Sequence, residues 1–208
     1  MENPFYHRIE TVTQLQTLIG EPNPLTPKKL LSALDETAIA FIARSPFLVL
    51  ATADAEGNLD ASPKGDGPGF VVVEDQHTLL IPDRKGNRLM FGLRNVLTNP
   101  RVGIIFMVPG TDETLRINGA AELTTDPDLL LRLSARGAPA LLAIRVTVRE
   151  CFFHCAKAFI RSQLWKSETW PQRQKISFGK ILSAKVGGND ELARQVDNAI
   201  EQDYKNNL

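Results

Sequence analysis

Between residues 46 and 153 the chain changes from a helical to a two-residue period, and most connections there are too short for a helical crossover. Seven segments read as strands. FLVLATAD and LDASPK flank the turn Glu56-Gly57-Asn58 as a hairpin. GFVVV, HTLLIP, RVGIIFMV, ETLRINGAAEL and ALLAIRVTVRECFF follow, set apart by Gly-, Pro- and Asp-containing breaks. Strands joined this tightly pair antiparallel, and several short ones with tight turns suggest a barrel or sandwich. The reading is a mainly β, antiparallel barrel core.

Helical periodicity flanks that core. Residues 1–45 read as helical, with Thr26 as N-cap and Pro27 at the first helical position. Leu31, Leu34, Ala38, Phe41 and Ile42 then fall at helical spacing, and Ser45-Pro46 stops the run. A helix is expected from Asp83 to about Thr98, ended by Asn99-Pro100. A short one follows Thr125-Asp126-Pro127, and residues 154–208 read as helical with a loop at Trp170-Pro171. The whole chain of 208 residues suits one domain at about 100–200 residues per domain.

Composition removes several function classes. Apolar residues make up 43% and charged residues 23%, an ordinary globular balance that argues against disorder. Lys plus Arg equals Asp plus Glu at 24 each, so sequence-independent nucleic-acid binding is not expected. An anion must be captured by a local cluster of cations. No apolar run approaches the length of a membrane span, and Met1-Glu2-Asn3-Pro4 lacks a signal-peptide order. Cys151 and Cys155 are the only cysteines, too few for a disulfide framework; the expected compartment is the cytoplasm.

Four segments carry candidate chemistry. With Asp83 as N-cap, Arg84, Lys85 and Arg88 fall near the first turn of the expected helix, where the macrodipole is positive. Each misplaced cation costs about 0.3–1 kcal/mol, and a bound phosphate would remove the conflict. The other reading is a solvated basic turn. On a strand Asp60, Ser62 and Lys64 share one face and could add to a phosphate site. Arg116, between Thr114 and Asn118 on a strand face, either pairs with a carboxylate or holds a ligand anion. A helix starting near His154 would align His154, Lys157, Arg161 and Trp165 on one stripe, suited to a planar anionic ligand. The alternative is an exposed polar face anchored by Trp165. Cys151, His154 and Cys155 lack a fourth zinc ligand, and His7 and His77 are the only other histidines, so no metal is expected. The stretch from Gly65 to Gly69 reads as a bulge or tight bend, and phosphate-loop, HExxH and GxSxG patterns are absent.

The ordered set SPKGD and LLIPDRKGNRLMFGLRNVLTNPRVGIIFMVPGTDETLRINGAAEL resembles the pyridoxamine 5'-phosphate oxidase-like FMN-binding split-barrel family. The resemblance covers about residues 30–190, and HCAKAFIRSQLW resembles a branch of uncharacterised flavoenzymes in the same superfamily. It implies an antiparallel split β-barrel and a homodimer with two FMN sites at the subunit interface. Arg84 and Lys85 would contact the FMN phosphate, with Ser62, Lys64, Asn87, Arg88 and Arg116 as further cofactor contacts. The implied activity is an FMN-dependent oxidoreductase acting on a small molecule. His154, Lys157, Arg161 and Trp165 are placed on the substrate side by their chemistry. The C-terminal substrate motif of the true oxidases is missing from ELARQVDNAIEQDYKNNL, so vitamin B6 oxidation is not the expected reaction. The alternatives are a flavin- or haem-binding protein without turnover, with His154 on the haem iron, a deazaflavin-dependent reductase, or a structural dimer without cofactor.

Overall fold

The computed structural model describes residues 8–86 and 88–207. Seven strands form one antiparallel sheet: β1 (Phe47–Ala53), β2 (Leu59–Gly65), β3 (Val72–Asp75), β4 (Thr78–Asp83), β5 (Arg101–Met107), β6 (Thr114–Thr124) and β7 (Leu142–His154). Their order is β2-β1-β5-β6-β7-β4-β3. In a flat sheet β2 and β4 would stand roughly 24 Å apart, at about 4.8 Å per strand. Instead Lys64 at the end of β2 touches Asp83 at the end of β4. The sheet has therefore curled into a barrel that stays open along one seam, the split barrel that the sequence implied.

Alternation sets which face is inside. Leu48 and Leu50 of β1, Val102, Ile104 and Phe106 of β5, and Leu115 and Ile117 of β6 are buried, while their neighbours in sequence, buried Thr114 apart, are more exposed. Burying each such side chain contributes about 1.5–3 kcal/mol. β4 breaks the alternation, because both its faces are covered. Leu79 and Ile81 enter the main core, whereas Leu80 joins a second cluster with Leu133, Ala140 and Ala143. β6 and β7 shift register between Asn118 and Gly119. A Cβ at Gly119 would lie 2.3 Å from the Thr147 carbonyl oxygen, so only glycine permits that crossing.

The flanking helices are shorter than the periodicity suggests. α1 (Val12–Ile19) is capped by Thr11 in a capping box with Gln14. Thr26 and Pro27 open only a 3-10 turn, Thr26–Lys29, and the expected long helix is replaced by α2 (Glu36–Arg44), capped by Asp35. α2 closes one end of the core with Ala38, Phe41 and Ile42, and Phe41 meets Phe153 edge-on at 5.3 Å. α4 (Pro127–Arg132) begins after Asp126, as expected.

Two helix starts are corrected. α3 (Phe91–Thr98) does not begin at Asp83. Asp83 still pairs with Leu142 as the last residue of β4, so the sheet outcompetes the helix there. Arg88 and Met90 then take left-handed conformations at φ 61° and 57°, which interrupt any helical run. Arg84, Lys85 and Arg88 are thus loop residues, and the macrodipole argument does not apply to them. Likewise His154 ends β7, paired with Thr114, and α5 (Lys157–Ser162) starts after it. The chain ends in α6 (Phe178–Val186) and α7 (Asp190–Asn206), which pack on each other. Gly179 faces the Ala193 carbonyl so closely that no Cβ would fit. Among the described residues no helix is long and apolar enough to cross a membrane.

Candidate functional site

The seam of the barrel opens into a cleft of about 650 Å³. That size lies within the range of small-molecule sites, about 300–1,000 Å³. β2 supplies one wall. Asp60, Ser62 and Lys64 point inward along it while Leu59, Ala61 and Pro63 point out, as their alternation requires. The opposite wall is made by residues 82–86 and 88–93 together with Leu141 and Leu142. Leu50, Phe70, Met90, Phe91 and Leu93 contribute apolar surface between the charged groups.

The charges are sorted into paired and unpaired groups. Lys64 Nζ donates to Asp83 Oδ1 at 2.5 Å, with both side chains mostly buried. Arg84 Nε lies 3.3 Å from Asp66 Oδ2, and Arg136 holds the other oxygen at 3.2 Å. Ser62 Oγ donates to Asp60 Oδ2 at 2.5 Å. α3 backs this pair through Gly92, where a Cβ would stand 3.0 Å from Asp60 Oδ2 and 3.3 Å from Ser62 Oγ. Lys85 and Arg88 have no carboxylate partner among the described residues. They leave the cleft with four cations against three carboxylates.

This arrangement suits a ligand with an anionic end and an apolar body. Cations on a loop can close on a phosphate, and the apolar wall can cover a planar group. Among the described residues no histidine or cysteine lines the cleft, so no nucleophile–base pair of the Ser–His or Cys–His kind stands in that described lining.

Of the expected site residues, Ser62, Lys64, Arg84, Lys85 and Arg88 come together in this cleft. Asn87 lies outside the described residues. Arg116 is not in the cleft lining: it projects from the outer face of β6, over the Phe152 ring at 5.5 Å. The stripe of His154, Lys157, Arg161 and Trp165 does not form, because β7 runs on through His154. Lys157 and Arg161 are exposed on α5. Trp165 is an anchor: its Nε1 donates to the Thr111 carbonyl at 2.9 Å and its ring stacks on Phe159. His154 instead joins Arg116 and Lys29 around Phe152. Burial, then the Arg116 and Lys29 charges, hold the His154 imidazole below its ordinary pKa.

The two cysteines have separate fates. Cys151 is buried and donates to the Ala33 carbonyl at 3.1 Å, and burial pushes its thiol pKa up. Cys155 is exposed.

Sequence reasoning did not single out Lys29, Asp66, Phe152 or the apolar wall from Met90 to Leu93. Lys29 and Phe152 carried no motif. Asp66 was legible only as part of a glycine-rich break.

Among solved structures, the fold is similar to HupZ of Group A Streptococcus at 18% identity, covering 58% of this chain and 93% of that one, with a TM-score of 0.47. An FMN-binding protein from Syntrophomonas wolfei is similar at 10% identity, over 58% of this chain and 85% of that one, TM-score 0.47. The general stress protein 26 of Bacillus anthracis is similar at 13% identity, over 55% of this chain and 89% of that one, TM-score 0.43. No curated protein matches the sequence. The family model for pyridoxamine 5'-phosphate oxidase matches residues 34–155, more than half of the chain and the whole barrel, and the chain belongs to that family.

Proposed function

We propose that the chain binds FMN in the seam cleft and acts as an FMN-dependent oxidoreductase on a small molecule. One observation carries the reading: among the described residues Lys85 and Arg88 line the cleft without carboxylate partners, and Leu50, Phe70, Met90, Phe91 and Leu93 line it with apolar surface. A phosphate end and a planar ring system match those two halves. When bound, the flavin supplies the hydride and electron transfer. The chain's own residues bind and orient. Lys85 and Arg88, with Arg84 steered by Asp66, hold the phosphate. Lys64 reaches it only by sharing its proton donors with Asp83. The Asp60–Ser62 pair presents a polar edge, and Leu50, Phe70 and Phe91 exclude water from the ring.

His154 lies outside the cleft lining, which weighs for a flavin there over haem on that histidine. A homodimer belongs to the same proposal. Phe47 and Ile105 place partly exposed apolar surface on the outer face of the central strands, available to a second copy. The free thiols fit a reducing compartment such as the cytoplasm.

The test is FMN titration followed by quenching of flavin fluorescence. Replacing Arg84 and Lys85 with Ala should weaken FMN at least tenfold, about 1.4 kcal/mol, while the circular dichroism spectrum stays unchanged. Unchanged affinity in that folded variant contradicts the assignment.

A further inference from the structure

We infer that Arg136 is a positioning residue for the phosphate end of the cleft ligand: by holding Asp66 from outside the cleft, it leaves the charge of Arg84 free for that phosphate. The inference rests on the reading that the cleft takes a phosphate-bearing flavin, and it goes beyond that reading because Arg136 does not line the cleft.

Three separate connections meet at one carboxylate. Asp66 follows directly on β2, where its N–H donates to the Pro46 carbonyl at 3.1 Å and its Oδ1 accepts from the Gly67 N–H at 2.9 Å. Its side chain is mostly buried. Arg84 follows β4 and donates through Nε to Asp66 Oδ2 at 3.3 Å. Arg136 comes from the connection between α4 and β7 and places a terminal nitrogen 3.2 Å from Asp66 Oδ1.

That connection is built to hold Arg136 in place. Ala135 and Ala138 exchange backbone hydrogen bonds, both 3.0 Å, around the two-residue turn Arg136-Gly137. Arg136 sits there at φ 51°, a left-handed conformation that glycine or asparagine adopts at less cost. Before the turn, Leu133 shares a buried cluster with Leu80 of β4. After it, the Leu141 N–H donates to the Asp83 carbonyl at 3.0 Å, one residue before Arg84. The turn is thus fastened to the same strand that carries Arg84 at its end.

Charge decides what the trio does. A carboxylate in the cleft wall repels a phosphate, and a single cation paired to it has its own charge cancelled. Lys64 and Asp83 are such a closed pair, since Asp83 has no second cation among the described residues. Asp66 has two, so the trio keeps one net positive charge on the wall that Arg84 and Asp66 share. Arg84 meets Asp66 through Nε, and among the described residues no hydrogen bond engages its terminal nitrogens. Those nitrogens are the donors that grip two phosphate oxygens in parallel. Without Arg136, Asp66 and Arg84 form a second closed pair and the cleft loses a working cation.

The test titrates FMN and, in parallel, riboflavin, which has the same rings without the phosphate, and follows flavin fluorescence. Arg136→Gln should weaken FMN about fivefold and leave riboflavin unchanged, and Arg136→Lys should restore most of the loss. In an Asp66→Asn background, Arg136→Gln should change FMN affinity less than about twofold, because no carboxylate is left for Arg136 to hold. Equal weakening of both flavins makes Arg136 a structural support only and overturns the proposal. So does unchanged FMN affinity in Arg136→Gln, or a loss that persists in full in the Asp66→Asn background. Should Asp66→Asn fail to fold, or the unmodified protein bind neither flavin, inorganic phosphate is the probe. It is read on the Arg84 Nε–H signal in NMR, assigned by its loss in Arg84→Ala. A saturable shift whose affinity falls about fivefold in Arg136→Gln supports the proposal even where the FMN reading has failed. A shift of equal affinity in both proteins, or no shift, overturns it.

Discussion

Lys64 and Asp83 meet at 2.5 Å across the seam, joining the end of β2 to the end of β4. The contact does two jobs: it latches the open barrel, and it pairs a cation that would otherwise face the cleft unpartnered. Replacing Asp83 with Asn separates the two. The account expects a loss of about 1–3 kcal/mol in stability, because a mostly buried ammonium loses its partner. It also expects FMN or inorganic phosphate to bind several-fold more tightly in the cleft, since Lys64 becomes available. Chemical denaturation and ligand titration on one preparation check both signs.

The two glycines Gly119 and Gly92 should separate fold from site. An alanine at Gly119 places its Cβ against the Thr147 backbone oxygen, which cannot move without breaking the β6–β7 ladder. That substitution should cost about 3 kcal/mol or more and show as insoluble protein or a sharply lowered melting temperature. At Gly92 the obstructing atoms are the side-chain oxygens of Asp60 and Ser62. Gly92→Ala should fold with a small stability change yet weaken the cleft ligand about tenfold, because the polar wall is pushed out of place.

His154 gives a pH prediction. Its folded-state pKa lies below the ordinary value of 6.5, through burial first and then the Arg116 and Lys29 charges. The folded state therefore resists protonation at this site. No destabilisation from it is present above pH 6.5. As pH falls from 6.5 through the folded pKa, the unfolded chain takes up the proton first and stability drops, levelling off below the folded value. An NMR titration should place the His154 midpoint below 6.5, and Arg116→Gln should move it upward. A midpoint above 6.5 in the unmodified protein contradicts the cluster geometry.

Thiol reactivity should split between the two cysteines. Cys155 is exposed, whereas Cys151 is buried with its proton engaged by the Ala33 carbonyl. A thiol-specific reagent at neutral pH should label one group per chain quickly, and the second only on unfolding. Mass mapping of the labelled peptide should identify Cys155.

The strands were readable in the sequence because their inside–outside alternation is a local signal; β1 and β5 follow it residue by residue, and β6 follows it from Leu115 to Glu122. The Asp60–Ser62–Lys64 face followed from the same rule. The starts of α3 and α5 were not readable, for a non-local reason. Asp83 and His154 both look like helix openers, but each is still held by a strand partner, Leu142 and Thr114. The cations of the cleft could be picked out by residue type, whereas their pairing could not. Asp66 reaches Arg84 and Arg136 only once the break after β2 folds back. Lys29 meets Phe152 only because Leu31 takes the free edge of β7, a contact between distant parts of the chain.

The central claim is that the seam cleft holds FMN, and the most direct test is the visible absorption spectrum of the freshly purified protein, with any released cofactor identified by mass. The account predicts a flavin spectrum, or its appearance on adding FMN, with the released mass of FMN and with loss of the signal on replacing Arg84 and Lys85. A colourless protein that takes up no added FMN, or a haem-type band in place of the flavin one, would contradict it.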